Sequence, residues 1–122
     1  DGIERQAIRL MSTSGTTGRP KVLAWDADLI EARLKQVRET GDLGPDVRLM
    51  SVLGLLTTTG FRYPIAQWQL GGLVLLPSLG AEATDAAEAS ARSTFVASSP
   101  FRMRGLLNQV PGEWPGREHR TI

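Results

Sequence analysis

The first apolar positions of the chain flank a polar loop. Ile8, Leu10 and Met11 form one short apolar stretch, and a second one runs over residues 22–25, with a loop rich in hydroxyl side chains and glycine between them. Short apolar runs bounded by turn residues are typical of strands. The pattern therefore predicts a strand, a loop and a second strand.

The next segment has the spacing of an amphipathic helix. Ile30, Leu34 and Val37 recur at positions that fall on one helix face. Asp26 or Asp28 can cap its first turn, and Gly41 can end it; these carboxylates, like Asp42 and Asp46, are interpreted as cap and turn residues rather than catalytic pairs.

Two further strands enclose a second helix. Residues 47–53 are apolar enough for a buried strand, the loop "GLLTTTGF" follows, and "LVLLP" predicts another buried strand. Between them Phe61, Ile65 and Trp68 repeat the helical spacing, with Pro64 tolerated only in a first turn.

The last third of the chain continues the alternation. "ATDAAEASARS" predicts an alanine-rich helix, residues 94–97 a short strand, and Ser99 with Pro100 the start of a helix. The apolar side of that helix is assigned to Phe101, Met103, Leu106 and Leu107. The tail "NQVPGEWPGREHR" is predicted to be irregular, and Thr121 with Ile122 suits the opening of another strand. Strands alternating with helices predict an α/β fold with a mostly parallel sheet.

Composition excludes several classes of protein. The 122 residues have a formal net charge of +1, so no strong field points to nucleic acid. The absence of cysteine excludes disulfides and thiol chemistry and fits a cytoplasmic location.

No apolar run reaches the roughly 20 residues of a membrane span. The single histidine, His119, is interpreted as a surface group, and no metal ligands are assigned. Because the chain starts at Asp1 rather than Met, we expect it to be a piece of a longer protein.

The hydroxyl-rich loop has the chemistry of a phosphate site. Gly15 and Gly18 can expose backbone N–H groups, and Lys21 supplies a positive charge. Further donors are the hydroxyl groups of Thr13, Ser14, Thr16 and Thr17. The spacing differs from the Walker loop, which has more widely separated glycines and a Ser or Thr straight after its lysine. On composition alone, a plain glycine-threonine turn with an exposed lysine remains an equal alternative.

The full string "STSGTTGRPK" closely resembles the phosphate loop of the adenylate-forming superfamily, which includes acyl- and aryl-CoA synthetases and peptide-synthetase adenylation domains. In that family the loop binds the β- and γ-phosphates of ATP. The resemblance implies a catalytic role for Lys21 and ATP binding by Thr13, Ser14, Gly15, Thr16, Thr17, Gly18 and Lys21.

A second block, "LMSVLGLLTTTGFRYPIAQWQLGGLVLLP", is similar to the family's next conserved segment, and "STFVASSPFRMRGLLN" to the one after it. The resemblance places Thr57, Gly60 and Phe61 in the substrate pocket. Leu56 and Thr57 stand where synthetases often have an aromatic residue and a histidine. Amino-acid-activating domains place an aspartate in this block, so its absence favours a carboxylic acid without an α-amino group. Phe61, Tyr63 and Trp68 either line the pocket or belong to the core, and helical spacing favours the core.

The resemblance therefore implies that residues 1–122 form part of the large N-terminal domain of an AMP-forming carboxylate–CoA ligase, from the phosphate loop to just before the adenine-binding segment. Its expected ligands are a small carboxylic acid, ATP, Mg²⁺ held mostly by residues elsewhere, and CoA, and its expected partner is the rest of the ligase chain. Two alternatives stay open: an adenylation domain that loads an amino acid or a carrier protein, and a non-catalytic nucleotide-binding remnant.

Overall fold

A computed structural model describes residues 7–12, 18–77, 83–109 and 120–121, in which two consecutive strands are followed by alternating helices and strands. The elements in chain order are β1 (Arg9–Ser12), β2 (Val22–Trp25), α1 (Ala27–Thr40), β3 (Arg48–Ser51), α2 (Thr58–Gln69), β4 (Leu73–Leu75), α3 (Ala83–Arg92), β5 (Phe95–Ala97), α4 (Pro100–Gln109) and β6 (Arg120–Thr121).

The strands form two separate sheets. β1 and β2 pair antiparallel as a two-stranded hairpin, while the other four strands form a sheet in the order β4-β3-β5-β6. Every neighbouring pair in the larger sheet is parallel, with Leu49 opposite both Val74 and Phe95. The predicted α/β class with a mostly parallel sheet is confirmed. The strand expected at Thr121 is present, since Thr121 pairs with Val96.

The parallel sheet is covered on both faces. On one face Met50, Val52 and Val96 pack with Ala89 of α3 and Leu106 of α4. On the other face Leu49 and Phe95 pack with Tyr63 of α2, whose ring centroid lies 6.3 Å from that of Phe95. Alternate residues of a strand point to opposite faces, so β3 supplies both cores. Tyr63 is therefore a core residue, as the helical spacing predicted.

Helix α1 forms an outer layer. Its Leu34 and Val37 pack against Ala66 of α2. Its ends are those predicted: the carboxylate of Asp26 accepts a hydrogen bond from the Leu29 N–H at 2.8 Å, and the Gly41 N–H donates to the Val37 carbonyl at 2.8 Å. Such a cap satisfies a backbone donor that the helix itself leaves unpaired.

The turn between α1 and β3 is tied to α2 by one buried amide. The Gln67 side chain is fully buried; its Oε1 accepts from the Gly44 N–H at 3.1 Å, and its Nε2 donates to the carbonyls of Gly44 and Val47 at 2.9 and 2.6 Å. Gly72 lies against this amide so closely that a Cβ there would be 1.8 Å from Nε2. Asp42 precedes the bonded residues with a φ of 55°, the left-handed geometry that Asp tolerates in turns.

Helix α2 corrects one expectation from the sequence. Pro64 was expected only in a first turn, but α2 begins at Thr58, so the proline lies in its second turn and is buried. Pro64 has no N–H to donate to the carbonyl of Gly60. Packing against the sheet and α1 offsets that lost bond, because the neighbouring Tyr63 and Ala66 belong to the two clusters described above.

Two predicted apolar faces are also less buried than expected. In α4, Phe101 is 83% exposed and Leu107 51% exposed, whereas Leu106 is buried and Met103 packs beside it. Met103 and Leu106 are three positions apart and share a face, while Phe101 lies on the far side of the helix. In the "LVLLP" strand Leu73 is 44% exposed, because β4 is the edge strand of the sheet.

Candidate functional site

The hairpin presents two different faces. Cross-strand partners share a face, so Arg9 with Trp25 and Met11 with Leu23 lie on one side. Met11 and Trp25 are only 4% and 6% exposed, which shows that this side packs inward. Because Ser12 pairs with Val22, the hairpin brings the two ends of the hydroxyl-rich loop together.

Part of the predicted phosphate loop can be described. Gly18 has a φ of 92°, a conformation that only glycine adopts without strain, and Lys21 is exposed directly before β2. The remaining predicted ATP-binding residues lie outside the described part of the chain, and they are Thr13, Ser14, Gly15, Thr16 and Thr17.

The second predicted segment forms the start of α2. The Thr57 hydroxyl caps this helix: it accepts from the Gly60 N–H at 3.0 Å and donates to the Gly54 carbonyl at 2.8 Å. Gly60 is buried, and a Cβ on it would be 2.2 Å from the Gly54 oxygen. Both residues thus fix the shape of the turn, and the Thr57 hydroxyl already has two protein partners.

Arg9 joins the hairpin to this segment. Its guanidinium carbon lies 3.9 Å from the centroid of the Phe61 ring, and its Nη2 donates to the Leu55 carbonyl. Next to it the Thr58 hydroxyl lies 3.9 Å from the Met11 sulfur. Sequence reasoning did not single out Arg9, although a cation inside an otherwise apolar strand was the available signal.

These contacts lie at the carboxyl ends of the parallel strands, which is where parallel α/β proteins bind ligands. The segment 52–57 follows the carboxyl end of β3 and leads to α2 on one face, whereas residues 98 and 99 follow β5 and lead to α4 on the other. Adjacent strands whose connections leave to opposite faces create a crevice at their carboxyl ends. The loop-bearing hairpin is thereby attached beside such a crevice.

A buried hydroxyl lies at the same edge. Ser51, the last residue of β3, is 3% exposed, and its Oγ has no hydrogen-bond partner among the described residues. It alternates with Met50 and so shares the sheet face of Leu49, the face that α2 covers.

The remaining candidates add no site. Arg102 and Arg104 are exposed on α4, as expected of a solvated helix edge. Trp68, which the helical spacing assigned to the core, is 49% exposed and is not a core residue. His119 lies outside the described residues. Within the described ranges no three His, Asp or Glu side chains are grouped so that they could hold a metal ion. No helix in these described ranges is long and apolar enough to cross a membrane.

Comparison with known proteins supports the same architecture. No protein-family model and no curated protein sequence matches the chain. Solved structures do match: the inhibitor-bound N-terminal domain of FACL13 from Mycobacterium tuberculosis has a TM-score of 0.70 at 22% identity over 92% of this chain. A long-chain-fatty-acid CoA ligase structure from Rhodopseudomonas palustris has a TM-score of 0.68 at 17% identity over 93%. O-succinylbenzoate coenzyme A synthetase (MenE) from Bacillus subtilis, in complex with AMP, has 0.64 at 21% over 90%.

The chain thus has the fold of part of an adenylate-forming enzyme's N-terminal domain, as the resemblance of its phosphate loop implied. It spans 29% of the length of each of these three proteins.

Proposed function

We propose that residues 1–122 belong to the N-terminal domain of an AMP-forming carboxylate–CoA ligase and extend from its phosphate loop to just before its adenine-binding segment. One observation is the main support. Arg9, in the strand that leads into the STSGTTGRPK segment, contacts Leu55 and Phe61, and this contact supports a proposal in which the ATP loop and the acid pocket are neighbours. The cysteine-free composition is the basis for proposing a cytoplasmic location.

In this proposal a carboxylate oxygen of the acid attacks the α-phosphorus of ATP. The bond from that phosphorus to the bridging oxygen breaks, and pyrophosphate leaves with the electron pair. Lys21 and the donors of residues 13–17 neutralise the β- and γ-phosphates as negative charge develops on the leaving group. These donors are the backbone N–H groups and the hydroxyls of the Thr and Ser side chains. The thiol of CoA then attacks the acyl carbon, loses its proton and displaces AMP to give the thioester.

The acid is proposed to bind next to the start of α2. Thr57 and Gly60 would shape this pocket through the turn that they form with Gly54, and Phe61 would supply an aromatic surface. Because the described residues contain no group of three His, Asp or Glu side chains that could hold a metal ion, no Mg²⁺ ligand is assigned among them.

Acid-dependent exchange of pyrophosphate into ATP, measured on the natural full-length protein with a panel of acids, tests the proposal. We expect exchange with a carboxylic acid and thioester formation when CoA is added. Exchange that requires an α-amino acid, or transfer only to a carrier protein, would identify a different adenylating enzyme. Absence of exchange with every acid would indicate a nucleotide-binding remnant.

The variant Lys21→Ala tests the loop. We expect adenylation to slow by about 10²- to 10³-fold, as when a charge-stabilising group of a transition state is removed. Lys35→Ala is the matched control, because Lys35 is also exposed and pairs with Glu39 on the surface of α1. Turnover that is equal in both variants would remove Lys21 from the mechanism.

A further inference from the structure

Arg9 places a positive charge beside the proposed acid pocket. Its guanidinium group covers one face of the Phe61 ring at 3.9 Å, and its hydrogen bond to the Leu55 carbonyl fixes it there. An aromatic face attracts a cation, so the pair stabilises this placement. Its Nε is buried and has no hydrogen-bond partner in the described part of the chain.

None of the ion pairs found among the described residues involves Arg9. The segment from Leu53 to Phe61 contains no Asp or Glu. The ion pairs found among the described residues, Lys35 with Glu39 and Arg38 with Glu31, both belong to α1. A ligand group next to Phe61 therefore meets a partly buried cation that no described carboxylate pairs with, and charges in such a position interact more strongly than in water.

We propose that Arg9 is a specificity-determining residue that excludes α-amino acids from the acid pocket. This inference rests on the proposed function. The ammonium group of an amino acid bound beside Phe61 would be repelled by the guanidinium, and no carboxylate of the segment would compensate. An acid without the amino group keeps the apolar contact with Phe61 and avoids the repulsion. The preference for acids without an amino group thus arises from repulsion by the guanidinium as well as from the apolar contact with Phe61.

Matched acid pairs measure this effect in the full-length protein. 3-Phenylpropionic acid with phenylalanine and butyric acid with 2-aminobutyric acid differ only in the α-amino group. The readout is the ratio of kcat/KM for the two members of each pair in pyrophosphate exchange. We expect the wild-type protein to favour the member without the amino group.

Two kinds of substitution at residue 9 separate charge from packing. Arg9→Met keeps a long side chain over the ring but removes the charge, so the ratio should fall by about tenfold, the equivalent of one unit of pKa in interaction energy. Arg9→Gln provides a second neutral variant. Arg9→Lys keeps the charge and should keep most of the discrimination. Arg33→Met, at an exposed position on α1, is the control and should leave the ratio unchanged.

Each outcome has a distinct meaning. A ratio that stays the same in the neutral variants, or that falls equally in Arg9→Lys, overturns the inference. If the wild-type protein prefers α-amino acids, the inference about Arg9 is overturned, but the protein is still an adenylating enzyme. This outcome is seen without any variant. Absence of exchange with any acid overturns the proposed function and this inference with it.

Discussion

The hairpin and the parallel sheet bury their apolar side chains differently. In the parallel sheet Leu49, Met50 and Val96 are completely buried between helices on both faces. In the hairpin one face packs through Met11, but Leu10 on the other is 68% exposed. Ile8 and Val22 are exposed to a similar degree. The apolar core of the described residues therefore lies around the parallel sheet, whereas the hairpin buries only one of its two faces.

Removing a side chain from the core of the parallel sheet should cause the largest loss in the free energy of unfolding. Leu106→Ala leaves a cavity against Met50 and Val96, and we expect a loss of about 2–5 kcal/mol in the free energy of unfolding. Urea denaturation measures it. Leu107→Ala, the next residue of α4, is half exposed and should cost much less; equal losses would contradict the packing described for α4.

Replacing the buried amide should cost less than opening a cavity. Gln67→Leu keeps the volume but removes the hydrogen-bond partner of the Gly44 N–H and of the Val47 carbonyl, whereas the Gly44 carbonyl still accepts from the Val47 N–H. We expect a loss of about 1–3 kcal/mol in thermal or urea unfolding. Gln36→Leu, at an exposed position of α1, is the matched control. A Gln67→Leu protein as stable as the control would show that the amide does not tie the turn to α2.

The cap of α2 lies where the two regions meet. Thr57→Ala removes the acceptor for the Gly60 N–H, and caps of this kind contribute about 0.5–2 kcal/mol. Thr57→Ser keeps the oxygen and should retain most of that stability in the same denaturation experiment. If serine were as destabilising as alanine, the methyl group rather than the hydroxyl would be the stabilising part.

The smallest effect is expected on the outer face of the hairpin. The Leu10 side chain is 68% exposed, and threonine is itself a residue that favours strands. Leu10→Thr should therefore change the free energy of unfolding by no more than about 0.5 kcal/mol. A loss as large as that of Leu106→Ala, measured side by side, would mean that the hairpin is part of the core.

Local patterns predicted most of the elements. The Asp26 cap, the Gly41 end, the helix start at Pro100 and the strand at Thr121 all follow from neighbouring residues, and each is present. Propensity and spacing act within a few residues, which is why these features can be read from the sequence.

Features that depend on distant residues could not be predicted in this way. Pro64 within α2 is compensated by packing with other elements, and the burial of Gln67 depends on a turn more than 20 positions away. Arg9 lies 46 positions from Leu55, its hydrogen-bond partner. In the candidate site, the motif suggested which residues bind ligands, but only the fold reveals what holds the two segments together.

The outer position of α1 has a consequence for local opening. Its buried residues Leu34 and Val37 contact α2 and not the strands, so α1 can separate from the molecule without breaking a β-ladder. Regions that open without global unfolding exchange their amide hydrogens at a lower free energy than the core does. Protection against hydrogen exchange should therefore be graded across the layers, lowest in α1 and highest in β3 and β5.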